Sequence, residues 1–432
     1  MYKEPSFNLG GTPLRAVNYE TCFKYLGIKY SPTGKLRANI DQFNQMLERI
    51  AKAPLKPQQK LDLLRSNIIP KVLHSLVLGR VTKGLLQSFD SSVRSFVRRS
   101  CGLTEDVPIA FFTTGVKQGG LGIPSLSTNV PLSLLRRLQK MENSSDPAVM
   151  ALCTDVTITK LKASCFSILG VTSMEEVLDP KIKERFATEL YSKIDGKQLF
   201  EFKANPDGQL WVRGRTSIVS GKNYRSLVQL RIGRLPTKEN CNRGRDGDKL
   251  CRHCNRLQES LSHVVQGCHF SHFERMRRHN AVQDAIKGEA TKNGFEVLSE
   301  PQFRVLTADG LRTLKPDLVA ILPEEVIVAD VTIVTEQQRF NHLPETTSLA
   351  GAWEYKRSYY SQPDLTRQLM EKFGKGSVWY GAIVIGMRGI WCKKNDETLK
   401  KLKIPISLRD LLVVRSMEGS VRIHKRFMAT SS

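Results

Sequence analysis

Cys251, Cys254, His263 and Cys268 lie in the stretch CRHCNRLQESLSHVVQGC with the spacing C-x2-C-x8-H-x4-C. Deprotonated sulfur and imidazole ligands in that pattern suit a tetrahedral zinc ion, because a C-x2-C turn delivers two ligands from one backbone knuckle. With all four ligands supplied by protein, the expected site is closed and structural. The neighbourhood also offers His253, His269, His272 and Cys241, any of which could complete the shell if His263 is an ordinary surface histidine.

A second constellation is acidic. Asp330 interrupts the apolar run VIVADVTIV, and burying a carboxylate is costly unless a cation or donor answers it. Asp317 begins the preceding apolar segment, and PEE turns the chain between the two. The expected hairpin would let both carboxylates approach and share Mg2+ or Mn2+. An ion there could polarise a phosphodiester and generate hydroxide, with a lysine steadying the developing charge. The simplest order would put that lysine at position 332, which is Thr332. The replacement is Lys356 in WEYKRSYY, which shares a helix face with Tyr360 four residues on. Taken separately, Pro-Asp is a common turn dipeptide and a buried Asp often caps a backbone group.

Positioning these residues requires ordered elements on both sides. Residues 12–30 read as short strands, with Phe23, Tyr25 and Ile28 alternating against Lys24 and Lys29. Helical periodicity covers Ile40 to Ala51, Pro57 to Leu78 and Gly84 to Ser100, the last carrying Arg94, Arg98 and Arg99 on neighbouring faces. VKQGGLGIPSL lacks the Lys-Ser or Lys-Thr ending of a phosphate-binding loop and reads as a tight bend. A helix follows the cysteine cluster, with Phe273, Met276, Val282, Ala285 and Ile286 suited to burial. ADG marks a hairpin between FRVLT and LRTLKPDLVAIL, and SVWYGAIVIGM reads as a buried strand. Helices are expected over about Ser348 to Tyr360 and from Pro363 onward.

Composition narrows the partners. Sixty-six Lys and Arg against 42 Asp and Glu give +24 over 432 residues, which makes polyanions, nucleic acid first, the expected partners. A ribosomal or membrane-surface role fits that charge alone. From Arg231 through Arg278 there are eleven Lys and Arg against five acids, so the cysteine cluster sits inside a basic zone. The chain has no long apolar run and its first residues lack a signal-peptide core, which points to a reducing compartment. Cys22, Cys101, Cys153, Cys165, Cys241 and Cys392 are scattered as expected of free, buried thiols.

Several segments together resemble the C-terminal half of the polyprotein of site-specific non-LTR retrotransposons, the R-two group that inserts into ribosomal RNA genes. KYLGIKY is similar to the hairpin after the polymerase active site, IIPKVLHSLVLGRV and GGLGIP to the thumb and linker, and LVQLRIGRLPTKENCNRGR leads into the knuckle, RRHNAV and KPD. The resemblance implies a multidomain chain with a mainly α-helical thumb and linker, a small zinc knuckle and an α/β restriction-type nuclease of the PD-(D/E)xK kind. Implied boundaries are 1–35 for the end of the palm, 36–115 for the thumb, 116–245 for the linker, 246–272 for the knuckle and 273–432 for the nuclease.

It further implies Cys251, Cys254, His263 and Cys268 as zinc ligands, and Asp317 and Asp330 as Mg2+ or Mn2+ ligands. Lys356 and Tyr360 would be the displaced lysine and tyrosine. Arg277, Arg278 and His279 would lie near DNA or the active site, and Arg94, Arg98 and Arg99 would grip phosphates. No YADD-like aspartate pair occurs, so the chain would begin downstream of the catalytic palm and could not polymerise alone. The implied activity is nicking of ribosomal-gene DNA in the nucleus, the freed end priming copying of the element RNA. The rival expectation is a non-catalytic, zinc-dependent nucleic-acid-binding protein or decayed element.

Overall fold

The computed structural model describes residues 7–14, 23–25, 28–31, 34–35, 39–79, 81–179, 181–213, 218–336 and 348–430. Cys22 lies outside them. The chain forms two compact units, one from 1–55, 59–97 and 123–184, the other from 56–58, 98–122 and 185–432. Among the described residues no helix is long and apolar enough to cross a membrane.

The first unit is mainly helical. Phe23–Tyr25 pairs antiparallel with Ile28–Ser31, as the alternation predicts. Helix Ile40–Lys52 starts where Asn39 Oδ1 accepts the backbone N–H groups of Asp41 (2.8 Å) and Gln42 (3.2 Å). Its buried Phe43 packs 4.9 Å from Phe89 between ring centroids. The helical run expected to reach Leu78 is interrupted by a π-turn at Leu64–Ile68 before Ile69–Leu78. Pro70 offers no N–H to the preceding turn, so the ladder is already broken where the backbone widens. Asp90 is buried and answered: its carboxylate accepts from the N–H groups of Leu126 (2.7 Å) and Ser127 (3.1 Å) at the start of helix Leu126–Glu142, and from both serine hydroxyls there.

The second unit holds a small mixed sheet flanked by helices. Its C-terminal part runs α1 (His272–Lys292), β1 (Glu296–Ser299), β2 (Phe303–Thr307), β3 (Gly310–Leu314), β4 (Leu318–Ile321), β5 (Glu325–Val334), α2 (Ser348–Tyr360), α3 (Pro363–Phe373), β6 (Ser377–Gly386), α4 (Asn395–Lys401) and α5 (Leu408–Ala429). The sheet order is β6-β5-β4-β1, with β5 parallel to β6 and antiparallel to β4. The ADG turn joins β2 and β3 in a separate two-stranded ribbon. Val319, Val326 and Val328 share a core with Tyr360 and Leu365 and Leu369 of α3. Earlier segments join the same unit: Arg231, almost fully buried, lies between Phe202 and Trp211 (4.8 and 4.7 Å to the ring centroids) and reaches Arg388 O at 3.4 Å.

Two burial expectations need correction. Phe273 and Met276 are 66% and 51% exposed, because the buried stripe of α1 is Glu274, Arg278, Val282, Ile286 and Ala290. The stripe keeps its four-residue spacing but opens with two charges. Each finds partners on α5: Glu274 takes Arg422 at 3.2 Å and Arg426 at 2.7 Å, and Arg278 donates to Ser420 Oγ at 2.8 Å. Gly419 permits this crossing, since a Cβ there would stand 2.4 Å from Arg278 Cγ. Hydropathy alone therefore finds Val282 and Ile286, which are buried, but misplaces the first turn of the helix. Similarly, Cys241 is exposed and Cys153 half-buried, whereas Cys101, Cys165 and Cys392 are buried; none of the described cysteines is in a disulfide.

Candidate metal cage and acidic site

The cage is built by local turns. Cys251 N–H donates to Leu257 O (2.8 Å), closing a small loop, and Asn255 adopts a left-handed conformation (φ 51°) that ends the Cys251–Cys254 knuckle. Buried Glu259 fastens it, accepting from the Arg252 side chain (2.7 and 2.8 Å) and from the N–H of Lys238 (2.9 Å). A five-residue π-turn, His263–Gly267, then swings His263 and Cys268 inward. The ligand atoms of Cys251, Cys254, His263 and Cys268 all lie within 4.8 Å of one another, with Cys251 Sγ 3.8 Å from Cys268 Sγ and Cys254 Sγ 3.3 Å from His263 Nε2.

A zinc tetrahedron with Zn–S near 2.3 Å has S···S edges of about 3.8 Å, so the set fits that ion. Burial pushes the Cys268 thiol up, and the neighbouring Cys251 and Cys254 push it further, so a cation among them removes the penalty of holding thiolates together. The cluster is formed without the alternative ligands. His253 stacks on Phe270 (3.8 Å between centroids) and donates to Phe427 O (2.9 Å), docking the knuckle on α5.

The acidic site depends on sheet register. Val326 pairs with Ile321 and Ala329 with Leu318, so the next step along the hairpin sets Asp330 opposite Asp317. Strand alternation puts Asp330 on the face of Val326 and Val328, at the end of the apolar core, and only 2% of it is exposed. Lys356 Nζ, from α2, lies 2.8 Å from Asp330 Oδ2. Trp353 anchors that helix by donating to Ala382 O (2.8 Å) on β6.

Asp317 is held from several sides. Its Oδ2 accepts the Val331 N–H (2.6 Å) and lies 3.0 Å from His279 Nε2, which is also 2.9 Å from Val331 O. Gln283, one turn along α1 from His279, donates to Asp317 O (2.7 Å), as does the Glu300 N–H (3.0 Å). The Tyr360 hydroxyl donates to Lys315 O at 3.1 Å.

The charges are strongly interdependent. Burial raises the Asp330 carboxyl, the nearby Asp317 raises it again, and Lys356 opposes both. Burial would discharge Lys356, but Asp330 outweighs it and keeps the ammonium protonated. Burial and Asp330 together hold Tyr360 as the neutral phenol. Burial lowers His279, yet its hydrogen bond and ion pair with Asp317 push it up to about 9.

The other expected contacts are dispersed. Of the run Arg277–His279 only His279 reaches the acids: Arg278 points inward and Arg277 is exposed, 4.0 Å from Glu274. Thr332 lines a cleft of about 360 Å3 with His279, Asn280 and Glu300. In the second unit Arg98 pairs with Glu105 (3.2 Å) and packs over Phe112, while Arg99 is exposed; Arg94, half-buried, belongs to the first unit. Gln283 and Gln266 escaped the sequence reading. Gln283 had a detectable signal, its four-residue spacing from His279.

No protein-family profile matches the chain. Curated relatives do. The chain is 34% identical over 433 residues to the Retrovirus-related Pol polyprotein from type-2 retrotransposable element R2DM of Drosophila melanogaster, covering 99% of this chain and 39% of that polyprotein. It is 32% identical over 426 residues to a Retrovirus-related Pol polyprotein from type-1 retrotransposable element R2 of Popillia japonica, covering 98% and 85%. A similarly named polyprotein of Nasonia vitripennis is 29% identical over 408 residues, covering 92% of this chain and 37% of its own length.

Proposed function

Because the chain belongs to the family of R2 retrotransposable-element Pol polyproteins, we propose that its second unit carries a metal-dependent DNA endonuclease that nicks one strand of the element's target. The observation that carries this reading is the buried Asp330 one step past the paired β4–β5 register, with Lys356 at 2.8 Å and Asp317 accepting the N–H of the next residue, Val331. Two repelling carboxylates beside one ammonium suit a hard divalent cation, and Asp317 and Asp330 would hold Mg2+ or Mn2+. When bound, such an ion polarises the phosphodiester and acidifies its water.

The residues divide the remaining work. Lys356 stays cationic and steadies the negative charge that develops on the phosphate oxygens. His279 and the Val331 N–H fix the orientation of Asp317, and Tyr360 packs as a neutral donor beside the acids. The cage holds structural zinc. Arg277 and the arginines at 94, 98 and 99 are proposed to contact backbone phosphates, contributing affinity without sequence readout. The implied setting is nuclear: a nick in a ribosomal RNA gene frees a 3′ hydroxyl that primes copying of the element RNA. Polymerisation would need aspartates from elsewhere in a longer protein.

The test is a plasmid nicking assay with Mg2+ on purified, zinc-loaded protein, comparing the parent with Asp317→Ala and Lys356→Ala. The parent should nick and both variants should lose about 10²-fold or more. Equal traces from all three, with DNA binding intact, would leave a zinc-stabilised nucleic-acid-binding protein as the better description.

A further inference from the structure

We infer that Gln266 is a positioning residue that ties the metal cage to the strand carrying Asp330, an inference that rests on the nuclease reading above. The pairing of β5 with β4 ends at Ala329, and further along the same edge the groups of Val331 and Ile333 have lost their antiparallel partner. Buried backbone groups require substitutes. Asp317 accepts the Val331 N–H, His279 is 2.9 Å from Val331 O, and Gln266 Nε2 donates to Ile333 O at 2.6 Å. Three side chains thus replace the missing strand, and two of them belong to the acidic site.

The third belongs to the cage. Gln266 lies in the π-turn between the ligands His263 and Cys268, so ligand spacing sets where its backbone sits. Its Oε1 accepts from Arg278, the neighbour of His279, and Arg278 is braced by Ser420. Its main-chain oxygen accepts from Arg275, which also reaches Cys268 O at 3.4 Å. One amide therefore connects a turn shaped by the metal ligands, the helix bearing His279 and the strand bearing Asp330. Gln266 and Ile333 accordingly line both the cleft beside His263 and the cleft beside His279.

Hydrogen exchange at the Val331 amide reads this coupling without reference to activity. In zinc-loaded protein, Gln266→Met should raise Val331 exchange about tenfold and leave β6 unchanged, and chelating zinc from the parent should have the same effect on Val331. Nicking kcat should fall about tenfold with KM for DNA nearly constant. Gln266→Glu keeps the acceptor for Arg278 but removes the donor to Ile333 O; it should resemble Gln266→Met and decides the matter if the methionine variant loses zinc. Unchanged Val331 exchange in a zinc-bound variant overturns the coupling. Altered exchange with unaltered kcat overturns the positioning role. A parent that does not nick at all defeats the nuclease reading instead, while Val331 exchange still decides the coupling.

Discussion

The cage draws its ligands from residues 251–268, whereas the acidic site gathers His279, Asp317, Asp330, Lys356 and Tyr360 from two helices, a turn and a strand. Closing a short loop costs little chain entropy, so local turns bring the four cage ligands together and a metal can lock them. The acids have no such local route. They meet only when the β4–β5 register is correct, since a one-residue slip would carry Asp330 to the opposite face. The cage should therefore behave as a stabilising element, and the acidic site as a strained one maintained by the fold around it.

Removing a cage ligand is the most severe way to break this contrast. Cys251→Ala should abolish stoichiometric zinc and lower the unfolding midpoint sharply, because binding free energies of structural zinc are on the order of 10 kcal/mol; metal analysis with thermal melts checks it. Asp330→Asn should act oppositely. It removes a buried carboxylate that burial and Asp317 disfavour, so the melt should hold steady or rise while nicking falls by about 10³-fold. A large loss of stability would show that the Lys356 pair holds the sheet together and erase the distinction. The smallest effect is expected at the first turn of α1: Phe273→Ser with Met276→Ser should change stability by only about 0.5 kcal/mol, because both side chains are exposed. A loss of several kcal/mol in denaturant melts would restore the hydropathic reading.

Much of the site was legible in advance. The spacing of three cysteines and one histidine named the cage, and an aspartate inside VIVADVTIV named the second acid, since a charge in an apolar strand requires an answer. Lys356 follows from its spacing to Tyr360 and from the resemblance, and its ammonium lies against Asp330. Gln266 was invisible. A glutamine between two metal ligands has no signature, and its partner is the carbonyl of Ile333, which any residue would supply. The first turn of α1 departs from expectation for a related reason, although Val282 and Ile286 are buried as expected: Glu274 and Arg278 lie inside because α5 brings arginines, Ser420 and a bare Gly419 against them.

Sequence by itself determined what depends on short separations and residue type: the cysteine and histidine cluster from which the ligands come, the alternation of the strands, the basic charge and the family; the structure chose His263 among the histidines on offer. Tertiary structure decided which edge of β5 lost its partner, which side chains replaced it, and which charges on α1 turned inward. Those outcomes depend on elements far apart in the chain arriving at one place, where burial makes each unpaired polar group costly enough to dictate its neighbour.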